Sequence, residues 1–328
     1  MTAHDVSRHL LALRDRIFSG GAPTHAEGVA LLGLAGHHVL ELFATATALR
    51  DHYKAHRVHL CAIVNARSGN CPEDCAFCAQ SVHNRAEVAE FPMISVDAIV
   101  EAARSAERAG ARCFGIVTSG RSVGTRDLDT ICDAVRRIRA ELAILPDASL
   151  GLLGEDLARR LKDAGLNGYH HNVETAPSYY PRVCTTHSFE ENVATLRLAK
   201  RFGFTVCSGG ILGLGETLDQ RVELAEVLGA EDVDRVCLNF FIPVKGTRLE
   251  GATPMKPLEI LKTIAVYRLF FPSKDINVCA GRELHLRDMQ GMIFLAGASA
   301  TMIGNYLTQE GRAPEDDLQL LRDLEMEW

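Results

Sequence analysis

The sequence predicts an α/β chain, a (β/α)8 TIM-type barrel with an N-terminal helical extension. Three observations lead there. From about residue 58 onward, short strand-like runs alternate with amphipathic helical stretches about eight times. Strands separated by helices imply parallel pairing, and eight such units close a barrel. The chain has 328 residues, 47% of them hydrophobic, enough for one large barrel with a substantial core. Three cysteines also sit directly after the first of these strands, on the face where such barrels carry their chemistry.

Residues 1–57 read as the helical extension. Val6 to Phe18 places apolar residues at helical intervals, Pro23-Thr24 fits a helix start, and Val39 to Leu49 reads as a further helix. This part packs against the rest and offers surface for dimer contacts. Residues 58–328 form the barrel and its last helix. His59 to Asn65 is the first expected strand. Ser95 caps a helix running to Arg108, and Cys113 to Thr118 is the second strand. A helix over Leu128 to Leu142 leads to a weaker strand near Ala148 to Leu152, then a helix over Glu155 to Asp163. Gly168 to Glu174 is the fourth strand, followed by a helix over Glu190 to Arg201. Thr205 to Gly210 is the fifth, with a helix over Leu218 to Leu228. Arg235 to Ile242 is the sixth, with a helix over Pro257 to Phe271. Asn277 to Ala280 is the seventh, with a helix over Glu283 to Leu295, and Ala300 to Ile303 is the eighth. The acidic stretch from Pro314 opens a closing helix.

Net charge is −7, from 42 acidic and 35 basic residues, and no basic stripe suits a nucleic acid. No apolar run is long enough for a membrane span. Met1-Thr2-Ala3-His4-Asp5 does not read as a signal peptide. The expectation is a soluble, cytoplasmic protein. Ten cysteines are many for that compartment, where disulfides are disfavoured, so metal binding, catalysis or burial must account for them.

The strongest signal is Cys71-Pro72-Glu73-Asp74-Cys75-Ala76-Phe77-Cys78. Three soft thiolates can hold three corners of a cubane iron–sulfur cluster. With no fourth cysteine nearby in sequence, one iron stays open to a substrate or cofactor. Cys75 and Cys78 alone form a C-x-x-C, which serves as a redox pair or half a zinc site. Zinc wants a fourth ligand, and His83 is the near candidate, but the three-cysteine spacing is unusual for zinc.

Side chains alternate along a strand, so His170, Asn172 and Glu174 share one face. They line a polar cavity or form a hydrogen-bonded polar layer without a ligand. The run Cys207-Ser208-Gly209-Gly210-Ile211-Leu212-Gly213 lets backbone approach a ligand closely, or makes a tight turn. Phe240 and Phe241, after Asn239, read as core.

The C-x-x-x-C-x-x-C pattern with Phe77 before its last cysteine resembles the cluster loop of radical S-adenosylmethionine (SAM) enzymes. The longer string, through Ala79-Gln80-Ser81, resembles the biotin synthase family, and the likeness extends over about residues 58 to 320. The resemblance implies a 4Fe-4S cluster on Cys71, Cys75 and Cys78, with SAM bound to the open iron. Reductive cleavage of SAM then gives a 5′-deoxyadenosyl radical. It implies conversion of dethiobiotin to biotin with sulfur from an auxiliary iron–sulfur cluster, a reduced flavodoxin or ferredoxin type electron donor, and a homodimer. Residue by residue, His170 and Asn172 match substrate-side positions, with His170 standing where the family pattern has Asn. Glu174 matches an acid that holds the SAM ribose hydroxyls. Ile211 matches the residue packing the adenine, and Asn239 one that reaches SAM or substrate.

The sequence departs from the common family form at the sulfur source. That form holds a 2Fe-2S cluster with three cysteines and an arginine. Here Gly115 and Asp147 occupy two of the cysteine positions, leaving Cys207 and Arg282. Cys61 and Cys279 stand where serines are usual, and Cys184 follows strand four. The expectation is a different auxiliary cluster, of 4Fe type with a spare sulfide, on Cys207 and two or three of Cys61, Cys279 and Cys184, near Arg282; the strand-borne Cys61, Cys207 and Cys279 fit best, and the alternative for Cys184, on a loop, is to line the cofactor site. The alternative is that these are small buried hydrophobes. Cys113 and Cys237 rank behind them, and Cys132, on a helix, reads as structural. Asn192 stands where an arginine usually pairs with the SAM carboxylate, with Arg182 as a substitute. Two other functions fit the chain less well: a related hydrogenase-maturation enzyme and a non-catalytic cluster carrier or sensor.

Overall fold

The computed structural model describes residues 3–309 and 311–328. Met1 and Thr2, on which the reading of the chain's start partly rests, lie outside them. Eight parallel strands close in sequence order, with β1 returning to β8. They are β1 (His59–Arg67), β2 (Cys113–Thr118), β3 (Leu145–Ser149), β4 (Gly168–His170), β5 (Thr205–Leu212), β6 (Arg235–Phe240), β7 (Asp275–Val278) and β8 (Ala300–Met302). The expected (β/α)8 barrel is therefore the observed one.

The register stacks cysteines across the interior. Cys61 lies opposite Cys113 on one side and Met302 on the other. Cys207 lies between His170 and Arg235, and Cys237 between Gly209 and Asn277. Strands β5 and β6 approach so closely that a Cβ on Gly209 would sit 1.7 Å from the Cys237 carbonyl oxygen. Only glycine fits there.

The helices of the outer ring start where their caps dictate. Ser95 accepts a hydrogen bond from the Ala98 N–H and opens α4 (Val96–Arg108), which buries Ile99, Val100, Ala103 and Ala106 along one face. Capping boxes at Ser188/Glu191 and Thr217/Gln220 open α7 (Phe189–Arg201) and α8 (Leu218–Ala230). Helices α5 (Thr125–Glu141), α6 (Glu155–Ala164) and α9 (Pro257–Phe270) complete this part of the ring. Each fully buried Ile or Leu on these faces contributes about 1.5–3 kcal/mol. Ahead of the barrel, α1 (Ala3–Phe18) buries Val6, Leu10, Leu13 and Ile17. Helices α2 (His25–Leu32) and α3 (His38–Lys54) pack on α8 and α9, so all three share one core with the barrel.

Several expected boundaries move, among them that of β7, which is Asp275–Val278 rather than Asn277–Ala280. Strand β3 begins at Leu145, because Leu145 to Ser149 pair with Cys113 to Val117. Pro146 and Asp147 are poor strand formers and conceal it in the sequence. Strand β4 stops at His170. His171 and Val173 still bond Cys207 and Gly209 on β5, and Glu174, at φ +69, ends the pairing with a single bridge to Gly210. Strand β6 stops at Phe240. The helix expected from Glu283 to Leu295 is broken into α10 (Arg282–Leu286), a 3-10 turn (Arg287–Met289) and α11 (Met292–Leu295), with Arg287 at φ +51 between them. The closing helix is α12 (Pro314–Asp323). Among the described residues no helix is long and apolar enough to cross a membrane.

Candidate functional site

A cavity of about 410 Å³ opens at the C-terminal ends of the strands. Cys71, Cys75 and Cys78 all line it. Their loop is pinned at both ends. Cys71 exchanges backbone bonds with Gln80 and Val82, and Asn84 Nδ2 donates to the carbonyls of Cys75 (3.1 Å) and Cys78 (2.8 Å). Gln80 Oε1 accepts from Ser68 Oγ and the Gly69 N–H. All three cysteines are free thiols. Burial pushes Cys78 up to about 11 and raises Cys71. The Cys184 contact, and then burial, raise Cys75. Desolvated thiols facing one cavity ionise only beside a cation, and soft sulfur suits iron. The donor set therefore fits a three-thiolate cluster.

The acidic residues between these cysteines lock the loop to the segment after β4. Asp74 accepts from the Thr185 N–H (2.8 Å) and hydroxyl (2.6 Å), and Glu73 from Thr186 Oγ1 (2.6 Å) and His187. Burial opposes ionisation of Asp74, but the Thr185 hydrogen bonds hold its carboxyl well below the usual range. Burial likewise opposes a charge on His187, but Cys184 and Glu73 hold its imidazole up to about 9.

A fourth cysteine does come close. Cys184 Sγ lies 3.8 Å from Cys75 Sγ and 3.2 Å from both Asp74 Oδ1 and His187 Nδ1. The expectation that the loop has no cysteine neighbour holds in sequence and fails in space. Cys184 is thereby separated from the interior cysteines with which it was grouped.

Above the loop, His170, His171, Asn172, Glu174, Ile211 and Asn239 line the same cavity. Burial pushes the Glu174 carboxyl up to about 7. Its Oε2, Asn172 Oδ1, Thr118 Oγ1 and His170 Nε2 are buried without a partner. Glu174 and Asn172 thus present acceptors that a ligand with hydroxyl or N–H donors would satisfy. Such a strained, unpaired acid is a mark of a binding position. Asn239 is more committed. Its amide donates to Gly210 O and accepts from the Ala280 N–H, tying β5 and β6 to the end of β7. Ile211 is half-buried at the cavity wall.

Asn192 is fully buried between Tyr180 and His171 and does not line the cavity. Arg182 stacks over Tyr179 and does not line it either. Among the described lining residues the one arginine or lysine is Arg121, which sequence reasoning missed. It bonds Glu73, Glu191 and Thr186 O.

Deeper, the cavity reaches Cys279 and Met302. Cys207, Cys237, Cys279 and Met302 form one buried group, with Cys61, Ile63 and Tyr306 packed on it. The neighbouring Cys279 thiol, and then burial, push the Cys237 thiol up. Burial pushes Cys61 up to about 12 and raises Cys207 as well. Cys237, ranked behind the others from sequence, therefore belongs with them. The signal was present: Cys237 and Asn239 are two apart on one strand and share its inner face. Arg282 lies apart. Its guanidinium bonds Asp317 Oδ1 (3.0 Å) and Oδ2 (2.5 Å), Gln290 and Met302 O, and no cysteine.

Known proteins match this arrangement. Residues 66–228 match the radical SAM superfamily and residues 237–327 the biotin and thiamin synthesis associated domain. Biotin synthase of Geotalea uraniireducens is 51% identical over 316 residues, covering 96% of each chain. That of Geobacter sulfurreducens is 52% identical over 314 residues, covering 95% of each. Among solved structures, methylornithine synthase superposes with a TM-score of 0.85 at 23% identity, covering 96% of each chain. An FeFe-hydrogenase maturase from Carboxydothermus hydrogenoformans gives 0.81 at 17%, covering 98% of this chain and 80% of that one. These two likenesses speak for the barrel alone. With half of its residues identical to the relatives over nearly its whole length, the chain belongs to the biotin synthase family within the radical SAM superfamily.

Proposed function

We infer that the chain is a radical SAM enzyme that inserts sulfur into dethiobiotin to form biotin, drawing the sulfur from an auxiliary iron–sulfur cluster. The observation that carries this reading is one cavity with Cys71, Cys75 and Cys78 at its mouth and Cys279 at its base, where Cys279 packs in one buried group with Cys61, Cys207 and Cys237. A hydrogenase-maturation role is disfavoured by the biotin-associated match over residues 237–327 and by identity near one half to biotin synthases.

Cys71, Cys75 and Cys78 would hold a 4Fe-4S cluster. Glu174 would accept hydrogen bonds from SAM hydroxyls and Ile211 would pack its adenine. His170 and Asn172 would face dethiobiotin. When bound, the first cluster with SAM supplies a radical able to remove hydrogen from unactivated carbon, and the second supplies sulfide. The chain's own part is to place and to shield. Phe77, Phe240, Phe241, Ile242 and Val244 form the apolar wall that excludes water from the reacting carbons. Glu174, poised near neutrality, would bind SAM best when ionised.

The interior group favours a cluster other than the usual 2Fe-2S form. Four cysteines pack in one buried group, Gly115 and Asp147 stand where the resemblance expects two of the usual ligands, and Arg282 is held by Asp317. A flavodoxin or ferredoxin type reductant, a homodimer, a cytoplasmic site, and division into residues 1–57 and 58–328 complete the reading.

The test is anaerobic. Cluster-reconstituted protein receives SAM, a reductant and dethiobiotin, and mass spectrometry quantifies 5′-deoxyadenosine and biotin together. Both products are expected. Deoxyadenosine without biotin, from protein holding both clusters, would overturn the substrate assignment.

A further inference from the structure

Below the cavity, β6 and β7 aim two fixed donors at the interior thiols. Arg235 Nη1 lies 3.3 Å from Cys113 Sγ, 3.8 Å from Cys207 Sγ and 3.4 Å from Asp147 Oδ2. Asn277 Nδ2 lies 3.3 Å from Cys61 Sγ and 3.9 Å from Cys237 Sγ. The sheet register builds this in, since Arg235 pairs across the ladder with Cys207 and Asn277 with Cys237.

Arg235 is partly buried, and the fully buried arginines of this chain are satisfied differently. Arg268 spends its N–H groups on the carbonyls of Gly297, Phe271, Pro272 and Lys274 and on Ser299 Oγ. Arg282 is gripped by Asp317 at both carboxylate oxygens. Arg235 instead has a single long contact to one carboxylate, and its remaining close partners are sulfur. A neutral thiol is a weak acceptor and repays little of the cost of burying a guanidinium. A thiolate repays far more, through a charge-assisted bond. His170 Nε2, beside the same thiols, is buried without a partner and donates to sulfur in its Nε2–H tautomer. These donors complement negatively charged sulfur.

We propose that Arg235 and Asn277 are positioning residues of the sulfur-supplying centre. Their N–H groups bond the ligand sulfurs of Cys207, Cys61 and Cys237, and Arg235 carries the charge that offsets those thiolates, oriented by Asp147. The inference rests on the reading that these cysteines hold the auxiliary cluster. N–H···S bonds and nearby cations stabilise the reduced form of an iron–sulfur centre, so both residues raise its potential.

The test uses a full-length C71A/C75A/C78A chain, in which the interior group alone can hold iron. Iron, sulfide and Mössbauer spectra establish the cluster, and chelator-driven iron release and redox titration measure its setting. Arg235→Leu should speed iron release by about 10- to 100-fold, the usual scale for losing an outer-shell partner. It should also move the midpoint to more negative potential, with Arg235→Lys recovering part of the shift. Asn277→Leu should move it the same way by less, and decides the matter alone if Arg235→Leu does not fold. Release and potential unchanged in the variants would overturn the proposal while leaving the cluster reading intact. A C71A/C75A/C78A chain with no iron–sulfur cluster would overturn the cluster reading itself, and this inference with it.

Discussion

The thiols of Cys75 and Cys184 stand 3.8 Å apart, although 109 positions separate them in the chain. Asp74 makes the meeting possible, since it holds the backbone of Thr185 and Thr186 against the cluster loop. The contact sets Cys184 beside the cluster loop and leaves Cys237 with Cys61, Cys207 and Cys279 in the buried interior group.

It follows that Cys237→Ala lowers the iron and sulfide held by the interior group, and Cys184→Ala does not. Metal analysis and Mössbauer spectra of the two variants, each also carrying C71A/C75A/C78A, check this. Equal losses in both would return Cys184 to the sulfur source.

The family resemblance leads one to expect Arg282 near the auxiliary cluster, yet Asp317 of α12 holds it. Arg282→Met should therefore leave the iron content unchanged. Asp317→Ala should destabilise by about 3–5 kcal/mol in urea unfolding, because it strands a buried guanidinium. A variant Arg282→Met that loses interior iron would contradict this assignment.

Glu174 makes stability depend on pH. Its folded value, pushed up to about 7 by burial, lies above the ordinary carboxylate value of 4.5. Between those values the folded chain binds more protons than the unfolded one, so stability falls as pH rises through that window. In metal-free protein the full cost above pH 7 is about 3 kcal/mol. Glu174→Gln should remove that slope in thermal melts from pH 5 to 8, and in the cluster-loaded protein it should weaken SAM binding. Parallel melting profiles for the two proteins would contradict the burial argument.

Gly209→Ala tests the barrel itself. The added Cβ would fall 1.7 Å from the Cys237 carbonyl, so β5 and β6 must separate and the interior thiols with them. The expected outcome is a cost above about 4 kcal/mol, among the largest for a single substitution. Soluble protein of wild-type Tm would contradict the register.

The barrel was legible because strand and helix periods alternate so regularly from residue 59 onward. The cluster loop was legible because its three cysteines are local. What the sequence hid was non-local. Cys184 meets Cys75 only through side-chain bonds between two loops. Arg121 reaches the cavity because Gly120, at φ +105, turns the chain after β2. Strand β3 was displaced in the reading because its own residues, Pro146 and Asp147, favour other structures and pairing with β2 overrides them. Cys237 was readable by carrying the alternation back two residues from Asn239.

On the proposed function, the interior thiols hold the sulfur that enters the product. The direct measurement is a single anaerobic turnover of protein reconstituted with iron and 34S-sulfide, freed of unbound sulfide and given SAM, reductant and dethiobiotin. Mass spectrometry then reads the sulfur isotope in biotin. The account predicts 34S-labelled biotin from the parent protein and none from Cys237→Ala or Cys279→Ala variants that still cleave SAM. Unlabelled biotin from the loaded parent, or normal labelled yield from both variants, would contradict it.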